Sequence, residues 1–191
     1  YINRSTTDYV GLIGSHSFTT NQMKKLGLED VHITGQDYVG GAAGVHANMS
    51  EVYVTGTVSG RSRIGGLAGY SSFLVTNCYS SANVTASSQY AGGLLGDYGG
   101  GSSLTYSYAS GNVTANSDGG GLLGQQSGTN TPSVSHSFAI GNVTSTTNGG
   151  GVFGNAANPT YHSSMYWNNH ASNPSNCYYG GDTACTAQSD N

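Results

Sequence analysis

Apolar side chains recur along this chain in columns about one repeat apart, not in faces three or four residues apart. Leu28, Met49, Val75, Leu104 and Val134 form one series. Four residues on, His32, Tyr53, Tyr79, Tyr108 and Phe138 form a second. Val58, Val84, Val113 and Val143 make a third, and Leu67, Leu94, Leu122 and Val152 a fourth. These are the β-branched, aliphatic and aromatic types that strands favour. Gly and Asn between them suit turns that need positive φ. No apolar period of 3.6 residues is sustained, and the helix-like patch Gln22 to Leu26 is too short to stand alone.

A glycine-bounded core punctuates the columns. It reads GLIG at 11–14, GAAG at 41–44, GLAG at 66–69, GLLG at 93–96, GLLG at 121–124 and GVFG at 151–154. Its closing glycines are 30, 25, 27, 28 and 30 residues apart. Between cores lies a second block, VTNCYSSANVT at 75–85, LTYSYASGNVT at 104–114 and VSHSFAIGNVT at 134–144, with weaker copies at 49–59 and 28–35. One such unit cannot bury its own apolar side, but stacked units can, by aligning equivalent residues into ladders. The pattern therefore predicts an all-β fold, a parallel β-solenoid (β-helix) of about six coils over residues 1–157. Leu104 and Tyr108 share one parity and Val113 has the other, so one straight strand cannot point all three inward. A corner or bulge is expected near Gly111 and its equivalents Gly56 and Gly141.

Composition narrows the partners. Gly, Ser, Thr and Asn make up nearly half of the 191 residues, charged residues are 7%, and net charge is −4. Disorder is the usual meaning of such a composition, yet 36% hydrophobic residues at fixed places argue against it. All five basic residues (Arg4, Lys24, Lys25, Arg61, Arg63) precede residue 64, so no basic surface for nucleic acid is on offer beyond it. No run of 18 apolar residues exists, so no membrane-inserting helix is expected.

The GLxG cores followed by a Cys/Ser–aromatic–GNVT block resemble the GLUG repeats. Those occur in bacterial and archaeal surface proteins, in filamentous-haemagglutinin-like adhesins and in the non-catalytic part of certain immunoglobulin A-cleaving proteases. The resemblance covers residues 9 to about 157. Four cores match GLxG literally, while Ala42 and Val152 replace the Leu in the other two. It implies a surface β-solenoid and supplies no catalytic residues. The segment 163–187 resembles the Tyr-Trp-Asn tails that follow such repeats.

Few residues suggest chemistry. Paired carboxylates would point to polysaccharide cleavage, but Asp97 and Asp118 stand one repeat apart and read as isolated, solvated turn residues. The six histidines are dispersed, make no i, i+4 pair and read as surface residues. No catalytic, cofactor-binding or metal-binding residues are expected. Asn83, Asn112 and Asn142 occupy one repeat column, each in an N-x-T sequon. Two readings stand: a hydrogen-bonded Asn ladder at a coil corner, or a row of glycans. Single Thr85, Thr114 and Thr144 recur two residues later, short of the T-x-T of a flat ice-binding face. Tyr161, Tyr166, Trp167, Tyr178 and Tyr179 crowd into residues 158–191. They either stack on a ligand or cap the open solenoid end, whose strand edges would otherwise be unpaired.

The expected role is non-enzymatic: an extracellular, cell-surface adhesin or a filament or stalk module. Its partners would be a glycan or protein on a host or neighbouring cell, or further copies of itself, head-to-tail or lateral. An accessory repeat region of a secreted protease or glycan-active enzyme is the alternative, and an ice-binding solenoid a lesser one. Cys177 and Cys185, eight residues apart, are expected to form a disulfide that clips the cap. Cys78 falls in a slot held elsewhere by Ser107 and Ser137, and reads as a small space-filling residue. Mass spectrometry of unreduced peptides is expected to find Cys177 linked to Cys185 and Cys78 as a free thiol; Cys78 bridged to either would overturn the repeat alignment as well.

Overall fold

The structure, a computed structural model, describes residues 1–16, 22–99, 101, 103–128, 133–156, 162–170, 173–179 and 185–188. The regular structure among the described residues is strand, paired in parallel in two sheets of 14 and six strands. One coil shows the path. Val75–Thr76 and Tyr79–Ser80 run along the larger sheet, the chain bends, and Asn83–Gly92 continues that sheet on a new heading. The GLLG core then turns the chain into Leu95–Tyr98, in the smaller sheet. That smaller sheet stacks the six core strands, from Ile13–His16 to Phe153–Ala156. Six core strands enclose about five complete turns, one fewer than the number of cores suggests.

In-register stacking explains the columns. Val58 pairs with Val84, Val84 with Val113 and Val113 with Val143, and Ile33 precedes them. All five are at most 4% exposed, so this column faces inward. Each such valine gains about 1.5–3 kcal/mol from burial. Leu67, Leu94, Leu122 and Val152 are fully buried, and the amides of the first three donate in turn to the carbonyl of the next.

The first coil departs from the sequence alignment. Met23, not Leu28, pairs with Met49, and Gly27, not His32, pairs with Tyr53. His32 lies on the outside, 2.9 Å from the Thr57 hydroxyl. Gly27 cannot be replaced without displacing a ring, because a Cβ there would run into that of Tyr53. The block at 28–35 lacks one strand's worth of landmarks, so aligning it by its own apolar residues shifts it by one arc.

The corner near Gly111 is present. Strands stop at Ala109 and resume at Val113. Gly141 sits so close to the carbonyl of Gly111, and Gly111 to that of Ala82, that a Cβ would collide with backbone. A second parity change precedes it. Glu51, Asn77, Tyr106 and His136 all have left-handed φ, between 49° and 55°. That kink turns Leu104 inward and Tyr108 outward, while Ser107 between them points in.

The inward polar slot is satisfied along the stack. The Ser107 hydroxyl accepts from the Cys78 amide at 3.1 Å and donates to the Thr105 carbonyl at 2.9 Å. Ser137 repeats this with the Ser107 amide at 3.2 Å and the Ser135 carbonyl at 2.8 Å. Cys78 fills the same slot, free and buried, and burial pushes its thiol up to about 11.

The tail adds further rungs. Ser163–Asn168 pairs with Ser133–Ala139, and Cys185–Gln188 pairs with Ser163–Asn168. Cys177 meets the other sheet, its carbonyl accepting from the amides of Val152 and Phe153. Cys177 and Cys185 are joined by a disulfide, Cα to Cα 5.9 Å, which ties the two sheets together beyond the last core.

Val113→Asp places an unpaired carboxylate between Val84 and Val143, at a cost of several kcal/mol, comparable to the whole stability of many domains. Asn112→Ala removes one hydrogen bond to an exposed corner and costs about 1 kcal/mol. Parallel thermal melts are expected to show Val113→Asp unfolded or far less stable and Asn112→Ala close to the parent. Equal melts would place the valine column in solvent.

Candidate functional site

The corner that leads into each glycine core is built from residues held in the left-handed region. They are Tyr9, Tyr38, Arg63, Tyr90, Asp118 and Asn148, with φ between 54° and 61°. Such a backbone costs a residue other than glycine about 1–2 kcal/mol, least for Asn and Asp. Stacking holds it there. From the second core on, the closing glycine lies directly against the corner of the coil before: a Cβ on Gly69 would run into the backbone of Tyr38, and one on Gly96 into that of Arg63. The second glycine of the motif is thus required by the close approach of this column.

The side chains of the column stack along the solenoid axis. Tyr9 and Tyr38 lie 5.1 Å apart and nearly parallel. The Arg63 guanidinium sits 5.0 Å from the Tyr38 ring and 5.1 Å from the Tyr90 ring. A cation between two π faces at these distances is attracted to both. Beside this column runs the outward row of the smaller sheet, in which Val45 pairs with Tyr70, Tyr70 with Asp97 and Asp97 with Gln125. Tyr70 meets Tyr38 edge-on at 6.5 Å. The two rows enclose a groove of about 530 Å³.

Charge in the groove is paired. Arg63 Nε donates to Asp97 Oδ2 at 3.1 Å, and the Ser127 hydroxyl donates to Asp97 Oδ1 at 2.7 Å. The Asp97 side chain is 4% exposed, against 28% for Arg63. Burial raises the Asp97 pKa, and the bonds from Ser127 and Arg63 oppose that rise. Tyr70 is raised by burial and by the neighbouring Asp97 charge. Gln125 Oε1 is buried in the groove wall with no hydrogen-bond partner. Beyond Tyr90 the column satisfies itself: Asp118 accepts from the Ser117 hydroxyl at 2.5 Å and from Asn148 Nδ2 at 3.1 Å. Asp97 and Asp118 are therefore buried, bonded residues, not solvated turn residues.

A second outward row is aromatic. Tyr53, Tyr79, Tyr108 and Phe138 stack face to face with centroids 4.9, 4.9 and 4.8 Å apart. Tyr166 continues the row by its pairing with Phe138 and is 43% exposed. Each ring covers its neighbours' faces, so the row presents edges.

The described aromatic residues of the tail differ in their surroundings. Tyr166 belongs to that row. Trp167 is buried against Gly151, with its indole N–H directed to the Pro174 carbonyl at 3.3 Å. Tyr178 is half-buried in a bridge to Phe153, and Tyr179 is exposed. Tyr161 lies outside the described residues. Asn83 Oδ1 accepts from the Asn112 amide and Asn112 Oδ1 from the Asn142 amide, both at 3.0 Å, so the three form a ladder on the surface. Among the described residues no three of His, Cys, Asp and Glu converge to hold a metal ion.

Two histidines expected at the surface are inside. His46 stacks on His16 at 5.2 Å, and burial, then the proximity of His16, lower its pKa. His162 stacks on Phe153 at 4.7 Å. Its Nδ1 accepts from the Val134 amide at 3.2 Å, which leaves Nε2–H to donate to Gln126 Oε1 at 3.0 Å. That arrangement needs the neutral ring, and burial lowers its pKa to about 4.

Residues 60–85 match the model of the GLUG motif. That stretch runs from the corner before the third core to the NVT of the next block, so the motif is one coil of this solenoid. The chain is also 39% identical over 126 residues to halomucin of Haloquadratum walsbyi (strain DSM 16790 / HBSQ001), an alignment that covers 51% of this chain and 1% of halomucin. The chain thus spans a very small part of that relative. No solved structure matches it.

His162 sets a pH window. The unfolded ring takes up a proton below its ordinary 6.5, whereas the folded ring resists it until about 4. The stability it supports is therefore present above 6.5 and declines as pH falls toward 4. The full shift corresponds to roughly 3 kcal/mol. Urea unfolding of the parent and of His162→Gln between pH 7 and 4.5 is expected to show a steeper acid loss in the parent. Identical slopes would contradict a buried neutral ring.

Proposed function

We propose that this chain is a surface-associated repeat module of the cell exterior, acting without catalysis as an adhesin or stalk that presents repeated side-chain rows to a partner. The GLUG motif and the similarity to halomucin support the surface association. One observation carries the presentation role: outward columns are held in register at the strand spacing over successive coils, making an extended, one-dimensional display. Partners consistent with it are a glycan or protein on another surface, or a further copy of this solenoid.

The chemistry of the outward rows fits display better than turnover. Asp97 has both oxygens engaged, by Arg63 and Ser127. Asp118 is held by Ser117 and Asn148. Both carboxylates are thus engaged within the fold.

Beads coated with the chain are expected to be retained on cells, or on immobilised extracellular polysaccharide, several-fold more than beads coated with the misfolding Val113→Asp variant. Equal retention would reject the adhesin role. Electron microscopy of the soluble chain is expected to show short rods; irregular globules would reject the stalk.

A further inference from the structure

We propose that the groove between the left-handed corner column and the smaller sheet is a saccharide-binding site, with Arg63, Gln125 and Tyr70 as its contacts. This rests on the surface-module reading and names the class of partner. Two independent observations point to a ligand. Arg63 is fixed in a plane by Tyr38 and Tyr90 and anchored through Nε to Asp97. Its Nη donors make no hydrogen bond among the described residues, although the side chain is only 28% exposed. Next to the Arg63–Asp97 pair, Gln125 Oε1 is buried with no donor.

A rigid guanidinium fork suits a paired acceptor, either two neighbouring hydroxyls or a carboxylate. An orphaned amide oxygen needs a hydroxyl or N–H. Tyr70 and Tyr9, the latter 47% exposed, line the groove and offer apolar ring surface. Ring surface, a planar donor fork and a lone acceptor within one groove fit the alternating C–H faces and hydroxyls of a sugar. An acidic peptide would offer carboxylates to Arg63 and N–H groups to Gln125, but it lacks the flat C–H faces that match the ring surface of Tyr70 and Tyr9. The groove runs along the axis, so successive coils extend it by one strand spacing, about 4.8 Å. A linear oligosaccharide laid along the groove would meet one outward residue of each row per coil.

The test is titration of the soluble chain, by calorimetry and saturation-transfer NMR, with maltotriose, cellotriose, chitotriose, trigalacturonate and a penta-aspartate peptide. At least one trisaccharide is expected to bind, with trigalacturonate strongest if the fork takes a carboxylate and a neutral sugar strongest if it takes hydroxyls. Arg63→Gln is expected to weaken that binding about tenfold. Gln125→Leu is expected to weaken it while leaving the melting temperature unchanged or higher, because it removes an unpaired buried polar atom. No trisaccharide binding, binding indifferent to both substitutions, or binding of the peptide alone would each overturn the proposal. Bead retention that persists in the Gln125→Leu variant would leave the surface role standing and remove the groove from it.

Discussion

The coils answer to one constraint: strand residues of the described coils lie in parallel register with a residue of the next coil, one strand spacing away, and along most columns that residue is the equivalent one. A side chain must therefore be compatible with copies of itself or with a chosen complement. Valine, leucine and flat aromatic rings satisfy this unaided, and they fill the long columns. Charges do not, because like charges in adjacent rungs repel. The low charge content follows. Several of the charges on the coils meet opposites, as in Lys24 with Glu51, Asp37 with Arg61 and Arg63 with Asp97, and Asp118 is held by neutral donors instead.

The same constraint makes a Ser-, Thr- and Asn-rich chain fold. A hydroxyl or amide in a ladder finds a backbone partner in the next coil at a fixed distance. Ser107 and Ser137 do this inside, and Asn83 and Asn112 do it at the surface corner. Polar residues that would keep an irregular chain solvated here close hydrogen bonds coil by coil, and small size becomes an advantage. Glycine joins them for a steric reason, since the corner of one coil rests on the core of the next with no room for a Cβ.

Against that regularity the groove stands out by its irregular column. Tyr9, Tyr38, Arg63 and Tyr90 place one arginine among three tyrosines, and all four occupy a backbone conformation unfavourable to them. A scaffold that holds a corner rigid by stacking can tolerate such residues, and stacking keeps the one arginine between two of the three tyrosines. The outward aromatic row from Tyr53 to Tyr166 is the regular counterpart, in which repetition alone covers the ring faces.

The sequence by itself determined the solenoid, its parallel register and the inside of the valine and leucine columns. In-register stacking writes three-dimensional neighbours into the chain as a period, which needs no structure to read. The role of Cys78 as the equivalent of Ser107 and Ser137 was legible for the same reason, and the pairing of Cys177 with Cys185 from their closeness in sequence. The tertiary structure decided what periodicity does not carry. It set the register of the first coil, where Gly27 replaces an aromatic and erases the landmark. It turned the tyrosine row outward, because the kink that resets parity is a backbone state shared by residues as different as Glu51, Asn77, Tyr106 and His136. It buried Asp97, Asp118, His46 and His162, which look like surface residues in isolation. And it assembled the groove, whose central pair, Arg63 and Asp97, belongs to different columns of successive coils, so that no repeat alignment places them together.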